Sequence, residues 1–180
     1  MKKVIYVYGA SGAGVSTLGR AIAESYGYRQ LDTDDYFWLP TDPPFVKSRE
    51  RAERVRLLWA DLDAAGEAVI SGSLYDWGDC FLPEVTLGVR VVTPTEVRIE
   101  RLRQREYARF GERIREGGDM YGEHLEFIQW ARGYDTDGPA ARSKQGHDRH
   151  EQGLCCPRVI VDGTKPLEEI LALIDELEPF

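Results

Sequence analysis

A glycine-rich run between a strand-like segment and a helix-like segment constrains this chain more than any other feature. An apolar stretch, residues 4–8, leads into Gly9-Ala10-Ser11-Gly12-Ala13-Gly14-Val15-Ser16-Thr17, and a helical pattern follows. The two outer glycines, Gly9 and Gly14, have the spacing of the phosphate-binding pattern G-x-x-x-x-G-K-S/T, and Ser16 occupies the hydroxyl position. Val15, however, stands where that pattern has lysine.

The glycines in this run predict a site for a polyphosphate made by the backbone. Glycine allows conformations in which successive N–H groups converge on an anion at a helix N-terminus, and such a site needs no lysine. Ser16, or Thr17 beside it, can offer its hydroxyl to a magnesium ion that bridges the phosphates. Val15 removes the cation that would neutralise the β- and γ-phosphates during transfer. The run therefore predicts phosphate binding and argues against fast phosphoryl transfer; the alternative is a Gly/Ser-rich turn without a ligand.

Composition limits the classes of protein that this chain can belong to. With 180 residues, 42% of them hydrophobic, it is long enough for one domain with a full core. The net charge of −8 argues against a general nucleic-acid or anionic-membrane surface. The start of the chain lacks the pattern of a secretory signal, no apolar stretch approaches membrane-spanning length, and the three cysteines suggest reduced thiols, so we expect a cytoplasmic protein.

Strand-like runs alternate with helical stretches, which predicts an α/β fold with a parallel sheet. The helix after the fourth strand has a start signal in Thr93 as N-cap, Pro94 at the first helical position and Glu96 three residues after the cap. A polar region broken by glycines extends from about residue 111 to 156. The predicted strands lie at 4–8, up to about 35, 68–72, 87–92 and 159–161, and the predicted helices at about 16–26, 48–65, from 94, and 166–177.

Three carboxylates at the end of the second strand form the second candidate group. Ligands of open α/β sheets lie outside the carboxyl ends of the strands, so Asp32, Asp34 and Asp35 can face the phosphate loop. An aspartate there can hold magnesium through water or accept the proton of an attacking hydroxyl. We assign this catalytic and metal-binding role to Asp34, with Asp35 second. The alternative is a solvated turn in which the aspartates cap the next segment.

Arginines at helical spacings follow the fourth strand. Arg98, Arg101, Arg105 and Arg109 make one stripe on a helix. Such a stripe can stabilise transferring phosphate and offset the absence of lysine at position 15, and the alternative is a solvated face paired with nearby glutamates. An arginine is favoured over Lys144 as the substitute because its planar fork can contact two phosphate oxygens.

The layout resembles the P-loop kinases of small molecules, the group that includes adenylate kinase, other nucleoside monophosphate kinases and shikimate kinase. The resemblance covers nearly the whole chain, and within that group the chain resembles adenylate-kinase-like predicted ATPases whose loop lacks the lysine. It is carried by the glycine run, the acidic strand end, the arginine-rich helix and the segment Val161-Asp162-Gly163-Thr164-Lys165-Pro166-Leu167-Glu168-Glu169-Ile170.

The resemblance implies a three-layer P-loop NTPase fold with a five-stranded parallel sheet and a helical lid insertion. It implies ATP and Mg²⁺ as ligands, an acceptor side at about residues 36–66 and a lid at about 105–156. In this group arginines of the lid close over the phosphates, which implies catalytic roles for Arg101, Arg105 and Arg109. The base-binding segment would contribute Gly163, Thr164 and Lys165.

Two further clusters, one of aromatic residues and one of histidines and cysteines, can each be interpreted either as a binding site or as a structural feature. The aromatic residues Tyr36, Phe37, Trp38 and Phe45 can bind an acceptor or pack a proline-rich loop onto its own domain. His147 and His150 precede two adjacent cysteines, but this spacing matches no usual zinc site, and we interpret the histidines as polar lid residues.

Two functional classes remain. The first is an ATP-dependent kinase that transfers phosphate to a nucleotide or a small metabolite, which is the unidentified acceptor. The second is a nucleotide-binding regulatory protein with weak or no phosphotransfer. Val15 favours the second class, whereas the carboxylates together with the arginines favour the first.

Overall fold

A parallel sheet of five strands lies at the centre of the protein, whose computed structural model describes residues 3–138 and 142–177. The strand order is β2-β3-β1-β4-β5, and every neighbouring pair is parallel, which confirms the predicted fold class. The strands are β1 (Val4–Gly9), β2 (Arg29–Asp32), β3 (Ala68–Ser71), β4 (Leu87–Val92) and β5 (Arg158–Asp162).

Helices cover both faces of this sheet and make the outer layers. The central strand β1 is buried along its whole length, as expected for a parallel strand with helices on both sides. Ile22 and Ile174 pack on one face, and Leu58 and Leu62 pack on the other. The helices are α1 (Val15–Tyr26), α2 (Thr33–Phe37), α3 (Arg51–Ala65), α4 (Thr95–Phe110), α5 (Tyr121–Arg132), α6 (Lys144–His150) and α7 (Leu167–Leu177). Among these described helices, none is long and apolar enough to cross a membrane.

The start of α4 differs from the prediction by one residue. Thr93 is not the N-cap, because the carbonyl of Pro94 accepts the first helical hydrogen bond, from the Arg98 N–H at 3.0 Å. The Thr93 hydroxyl instead donates to the carbonyl of Ala13 at 3.0 Å. This hydrogen bond to a residue 80 positions earlier takes the place of the predicted cap, and it attaches the start of α4 to the glycine run. The helix predicted from residue 48 likewise begins later, at Arg51.

The two histidines interpreted as polar lid residues are buried, so that interpretation is wrong. His147 on α6 has no solvent exposure, and its Nδ1 lies 2.8 Å from the Tyr134 hydroxyl. Its Nε2 lies 3.4 Å from Oγ of Ser73, which follows β3. Desolvation, together with the positive charges of Arg142 and Arg90, lowers the pKa of His147 to about 3. The residue therefore fastens α6 to the sheet in its neutral form.

This burial predicts that stability falls as the pH is lowered. An exposed histidine of the unfolded chain binds a proton near pH 6.5, whereas folded His147 resists protonation down to about pH 3. Between these values the unfolded state holds the extra proton, so this residue should cost about 1.4 kcal/mol of stability per pH unit. Urea unfolding at several pH values measures the slope.

The variant His147→Gln should remove most of this slope, at the cost of lower stability at neutral pH. His150→Gln is the comparison, because burial lowers the pKa of His150 while the carboxylate of Asp79 opposes the effect. We expect a smaller change of slope in that variant. Equal slopes in the wild type and in His147→Gln would contradict the prediction.

Candidate functional site

The glycine run joins the central strand β1 to helix α1, and its backbone is shaped by two left-handed glycines. Gly12 has φ of 79° and Gly14 has φ of 103°, and Gly14 is the N-cap of α1. A Cβ on Gly12 would lie 2.6 Å from the carbonyl oxygen of Arg98 in α4. The loop therefore needs glycine both for its conformation and for contact with a neighbouring helix, and it leaves the first amides of α1 available to an anion.

The side chain of Val15 belongs to the core and not to the mouth of the loop. It is 8% exposed and is part of the hydrophobic cluster on the α1 face of the sheet. Its Cγ2 would lie 3.3 Å from a Cβ placed on Gly9, so the valine packs over the start of the loop. Ser16 and Thr17, in contrast, are exposed. Their hydroxyls are the loop oxygens that a phosphate-bound cation can reach.

The predicted carboxylates lie at a turn from strand to helix. Strand β2 ends at Asp32, whose carboxylate caps α2 by accepting the N–H of Asp34 at 3.1 Å. The other carboxylate oxygen of Asp32 accepts the Ser71 hydroxyl at 3.4 Å. Asp34 and Asp35 thus lie in the first turn of α2. Asp32 fits the capping alternative, while Asp34 is free to face the cleft.

The surroundings of Asp34 make its carboxyl a weaker acid than usual. The residue is exposed, but nearby protein atoms partly desolvate the carboxyl and raise its pKa. The guanidinium groups of Arg142 and Arg105 oppose that rise, while Asp32 adds to it. Desolvation and the charge of Asp32 also raise the pKa of Asp35. A carboxylate with a raised pKa is a better proton acceptor, which is the property that a general base requires.

The arginine stripe of α4 divides into residues with different surroundings. Arg98 is 1% exposed and forms an ion pair with Asp135 at 2.8 Å. It also donates to the Thr93 carbonyl at 3.1 Å, so its role is to hold α4 in place. Arg105 lies close enough to influence Asp34, and Arg109 lies over the ring of Phe45 at 4.8 Å.

Arg101 joins the glycine run to the segment that follows β5. Its guanidinium donates to the carbonyl of Gly163 at 3.0 Å and lies 3.5 Å from the carbonyl of Ala13. A Cβ on Gly163 would lie 2.4 Å from the same Ala13 oxygen. The segment predicted to bind a base therefore rests directly on the phosphate loop. Beside it, the side chain of Thr164 donates to Asp162 at 2.7 Å and Lys165 pairs with Glu169 at 3.6 Å.

The sequence analysis missed Arg142. This residue precedes α6, and its guanidinium lies 3.4 Å from the carbonyl oxygen of Gly9 and 5.7 Å from the centre of the Trp130 ring. Its Nε is buried and has no hydrogen-bond partner within the described residues. No helical spacing marks a residue in a loop, so the sequence offered no signal for it. Lys144, the lysine considered as a substitute, is exposed and pairs with Asp148 at 2.9 Å.

The aromatic residues after β2 fit the packing alternative. The Tyr36 hydroxyl donates to Asp61 at 2.7 Å, and the Arg54 guanidinium lies 3.8 Å from the centre of the Phe37 ring. Trp38 and Phe45 contact each other edge to face, with ring centres 6.0 Å apart.

An ion pair joins the loop after α2 to the segment that follows α4. Arg113 lies 2.9 Å from the carboxylate of Asp42 and 2.7 Å from that of Asp119. Together with the contact of Arg109 and Phe45, this pair brings the start of the predicted lid against the predicted acceptor side.

Comparison with known sequences identifies a family and a relative. The family model described as an AAA domain matches residues 5–120. A Bacillus subtilis (strain 168) protein, YqaC, is 38% identical over 178 residues, which cover 98% of each chain.

The fold is similar to that of several solved kinases. A shikimate kinase from Bacteroides thetaiotaomicron superposes with a TM-score of 0.57 at 18% identity, over 97% of each chain. A sugar kinase from Janibacter sp. HTCC2649 gives 0.56 at 17% identity, over 98% of this chain and 94% of that one. A gluconokinase from Sinorhizobium meliloti 1021 gives 0.51 at 21% identity, over 95% and 88%. These likenesses establish a kinase-like P-loop fold.

The contact of Gly163 with the phosphate loop yields a prediction. In Gly163→Ala the new methyl group would meet the Thr93 hydroxyl at 2.2 Å and the Ala13 carbonyl at 2.4 Å. The backbone at Ala13 can move away only at a cost in energy, so we expect the free energy of unfolding to fall by about 1–3 kcal/mol. Nucleotide affinity, measured by titration calorimetry, should fall as well.

The matched control is Gly122→Ala in α5, where a Cβ meets nothing within 4 Å. That helix position should gain about 0.5–1 kcal/mol from alanine. Similar effects of the two substitutions would show that the contact between Gly163 and the loop contributes nothing.

Proposed function

The chain belongs to the AAA domain family, and on that premise we propose that it binds ATP with Mg²⁺ and transfers the γ-phosphoryl group to a small acceptor. The observation that carries the proposal is the arrangement at one edge of the sheet. There the phosphate loop follows β1, and Asp34 follows β2. The positive charges of Arg142 and Arg105 act on the carboxyl of Asp34. Ligands of such sheets bind at the carboxyl ends of the strands.

The acceptor is either a nucleotide or a small metabolite that carries a hydroxyl group. The fold neighbours named above as kinases of shikimate and of a sugar support the first of these. Residues 36–66 form the acceptor side, and residues 105–156 close over the phosphates. Gly163, Thr164 and Lys165 lie at the edge of the loop where the base of the nucleotide would rest, beside Arg101.

The transfer step uses this chain's own groups as follows. The acceptor oxygen forms a bond to the γ-phosphorus while the bond from that phosphorus to the bridging oxygen breaks, and ADP leaves with the bonding electrons. The acceptor proton passes to the carboxylate of Asp34, whose raised pKa suits it for the task. Amides of the loop hold the β-phosphate, and Arg101 and Arg105 stabilise charge on the transferred group.

The oxygen donors at the loop fit magnesium. The hydroxyl of Ser16 is exposed beside the phosphate site, and carboxylates lie at the end of β2. Such oxygens are the ligands that Mg²⁺ prefers, so Ser16 directly and Asp34 through water would hold it. When bound, the ion supplies neutralising charge to the phosphate oxygens.

A second function is favoured by Val15. Its side chain is buried in the core, so the loop itself brings no cation to the phosphates. A nucleotide-binding regulatory protein needs the amides but not fast chemistry, and a lysine-less subgroup of adenylate-kinase-like ATPases would fit this description.

Binding and turnover distinguish the proposals. We expect thermal shift with Mg²⁺ to show stabilisation by ATP or ADP, because a ligand of the native state stabilises by mass action. A panel of metabolite and nucleotide acceptors, followed by ADP release, tests transfer. Stabilisation without turnover would support the regulatory function, and no stabilisation by any nucleotide would overturn both.

Replacement of the acid tests the chemical step. Asp34→Asn should lower kcat by about 10²–10⁴-fold, the usual contribution of a general base, with ATP affinity within a few-fold of the wild type. Asp35→Asn, which changes the second candidate one residue further along α2, is the comparison and should keep most of the activity if Asp34 is the base. Equal kcat in both variants would exclude Asp34 as the base.

A further inference from the structure

Arg98 and Arg90 are buried arginines that carboxylates neutralise, and Arg142 is a third arginine with a buried guanidinium nitrogen. Arg98 pairs with Asp135 at 2.8 Å, and Arg90 pairs with Glu151 at 2.9 Å. The third, Arg142, has no ion pair within the part of the chain that the structure describes, and its Nε is buried without a hydrogen-bond partner. A partly buried charge without an ion-pair partner is costly, so the position of Arg142 favours an anionic ligand from outside the chain.

The location of Arg142 shows where such an anion would bind. Its terminal nitrogen lies 3.4 Å from the carbonyl oxygen of Gly9, the first residue of the phosphate loop. It is also the strongest charged influence on Asp34, whose pKa it lowers against the effect of desolvation. Gly9 ends β1 and Asp34 follows β2, and only β3 separates these strands. The guanidinium thus contacts the start of the phosphate loop and is close enough to the proposed base to influence its pKa.

The backbone beside Arg142 is held by packing. The Ser143 hydroxyl oxygen accepts the N–H of Gly146 at 3.0 Å and caps α6, and the same hydroxyl donates to the carbonyl of Gly138 at 2.8 Å. Ser143 has no solvent exposure, and buried His147 fastens α6 to the sheet. The backbone that follows Arg142 is therefore held in place without a ligand, which reduces the cost of ordering its side chain when a ligand binds.

We propose that Arg142 supplies the positive charge that Val15 does not, by binding the γ-phosphoryl group of the triphosphate during its transfer. This inference rests on the proposed function. A planar guanidinium can contact two phosphoryl oxygens at once, and it reaches them from a segment 127 positions after the missing lysine. Arg142 is then a catalytic residue in addition to the arginines of α4.

A rescue experiment tests this substitution of one cation for another. Arg142→Gln should lower kcat by about 10²–10³-fold, the usual cost of removing one group that stabilises transition-state charge, and should change ATP affinity by less than tenfold. Adding Val15→Lys to Arg142→Gln should restore activity at least tenfold. Val15→Met is the matched control, because it adds a stem of similar length without charge, and it should restore nothing. Thermal unfolding of each variant confirms that it is folded.

The double-mutant cycle decides the result. Val15→Lys should raise kcat much more in the Arg142→Gln background than in the wild type, because the wild type already has the positive charge of Arg142. An equal fold-change in both backgrounds, or kcat of Arg142→Gln within threefold of the wild type, would overturn the proposal.

A binding measurement covers the case of a protein with no turnover. ADP with aluminium fluoride imitates the transferring phosphoryl group, and its affinity relative to ADP alone should fall at least tenfold in Arg142→Gln. An unchanged ratio would overturn the role of Arg142 while leaving nucleotide binding intact. Failure of the wild type to bind any nucleotide would instead refute the proposed function itself.

Discussion

The site depends on close contacts that hold the backbone of the phosphate loop from two sides. Gly12 lies against the carbonyl of Arg98 in α4, and Gly163 lies against the carbonyl of Ala13. Both contacts leave no room for a Cβ, so the loop, α4 and the segment after β5 approach at backbone distance. The buried guanidinium of Arg98 supports this arrangement by bonding to the Thr93 and Ala131 carbonyls. An anion site built from amides needs such rigidity, because the amides must be aligned before the phosphate arrives.

Local patterns predicted what local physics determines. The alternation of apolar runs with helical stretches gave the parallel sheet, and the spacing of Gly9 and Gly14 gave the loop. The errors have one cause, which is contact with residues distant in the sequence. Thr93 occupies the position that the sequence predicts as an N-cap, but its hydroxyl donates to the carbonyl of Ala13 instead. His147 is a polar residue in a polar stretch of sequence, but its ring is buried against Tyr134 and Ser73.

The candidate site was predictable to a similar extent. The carboxylates at the end of β2 follow from the rule that ligands bind at the carboxyl ends of strands. Helical spacing grouped Arg98 with Arg101 and Arg105, yet it cannot distinguish a buried structural arginine from one that faces a cleft. Arg142 has no periodic partner and comes close to Gly9 only because α6 folds back on the sheet. A residue placed by tertiary packing alone leaves no mark in a single sequence.

The arrangement separates two tasks that the amides and the lysine of the usual loop perform together. In the proposed function the amides of the glycine run bind phosphate, while charge neutralisation comes from a different segment. Val15 then adds to the core, because its side chain packs over Gly9 in place of a long cationic stem. The proposal then links fold and chemistry, because the Ser143 cap and neutral His147 hold the helix that follows Arg142. Conditions that loosen α6 should therefore impair transfer before they impair nucleotide binding, since the amides belong to β1 and α1.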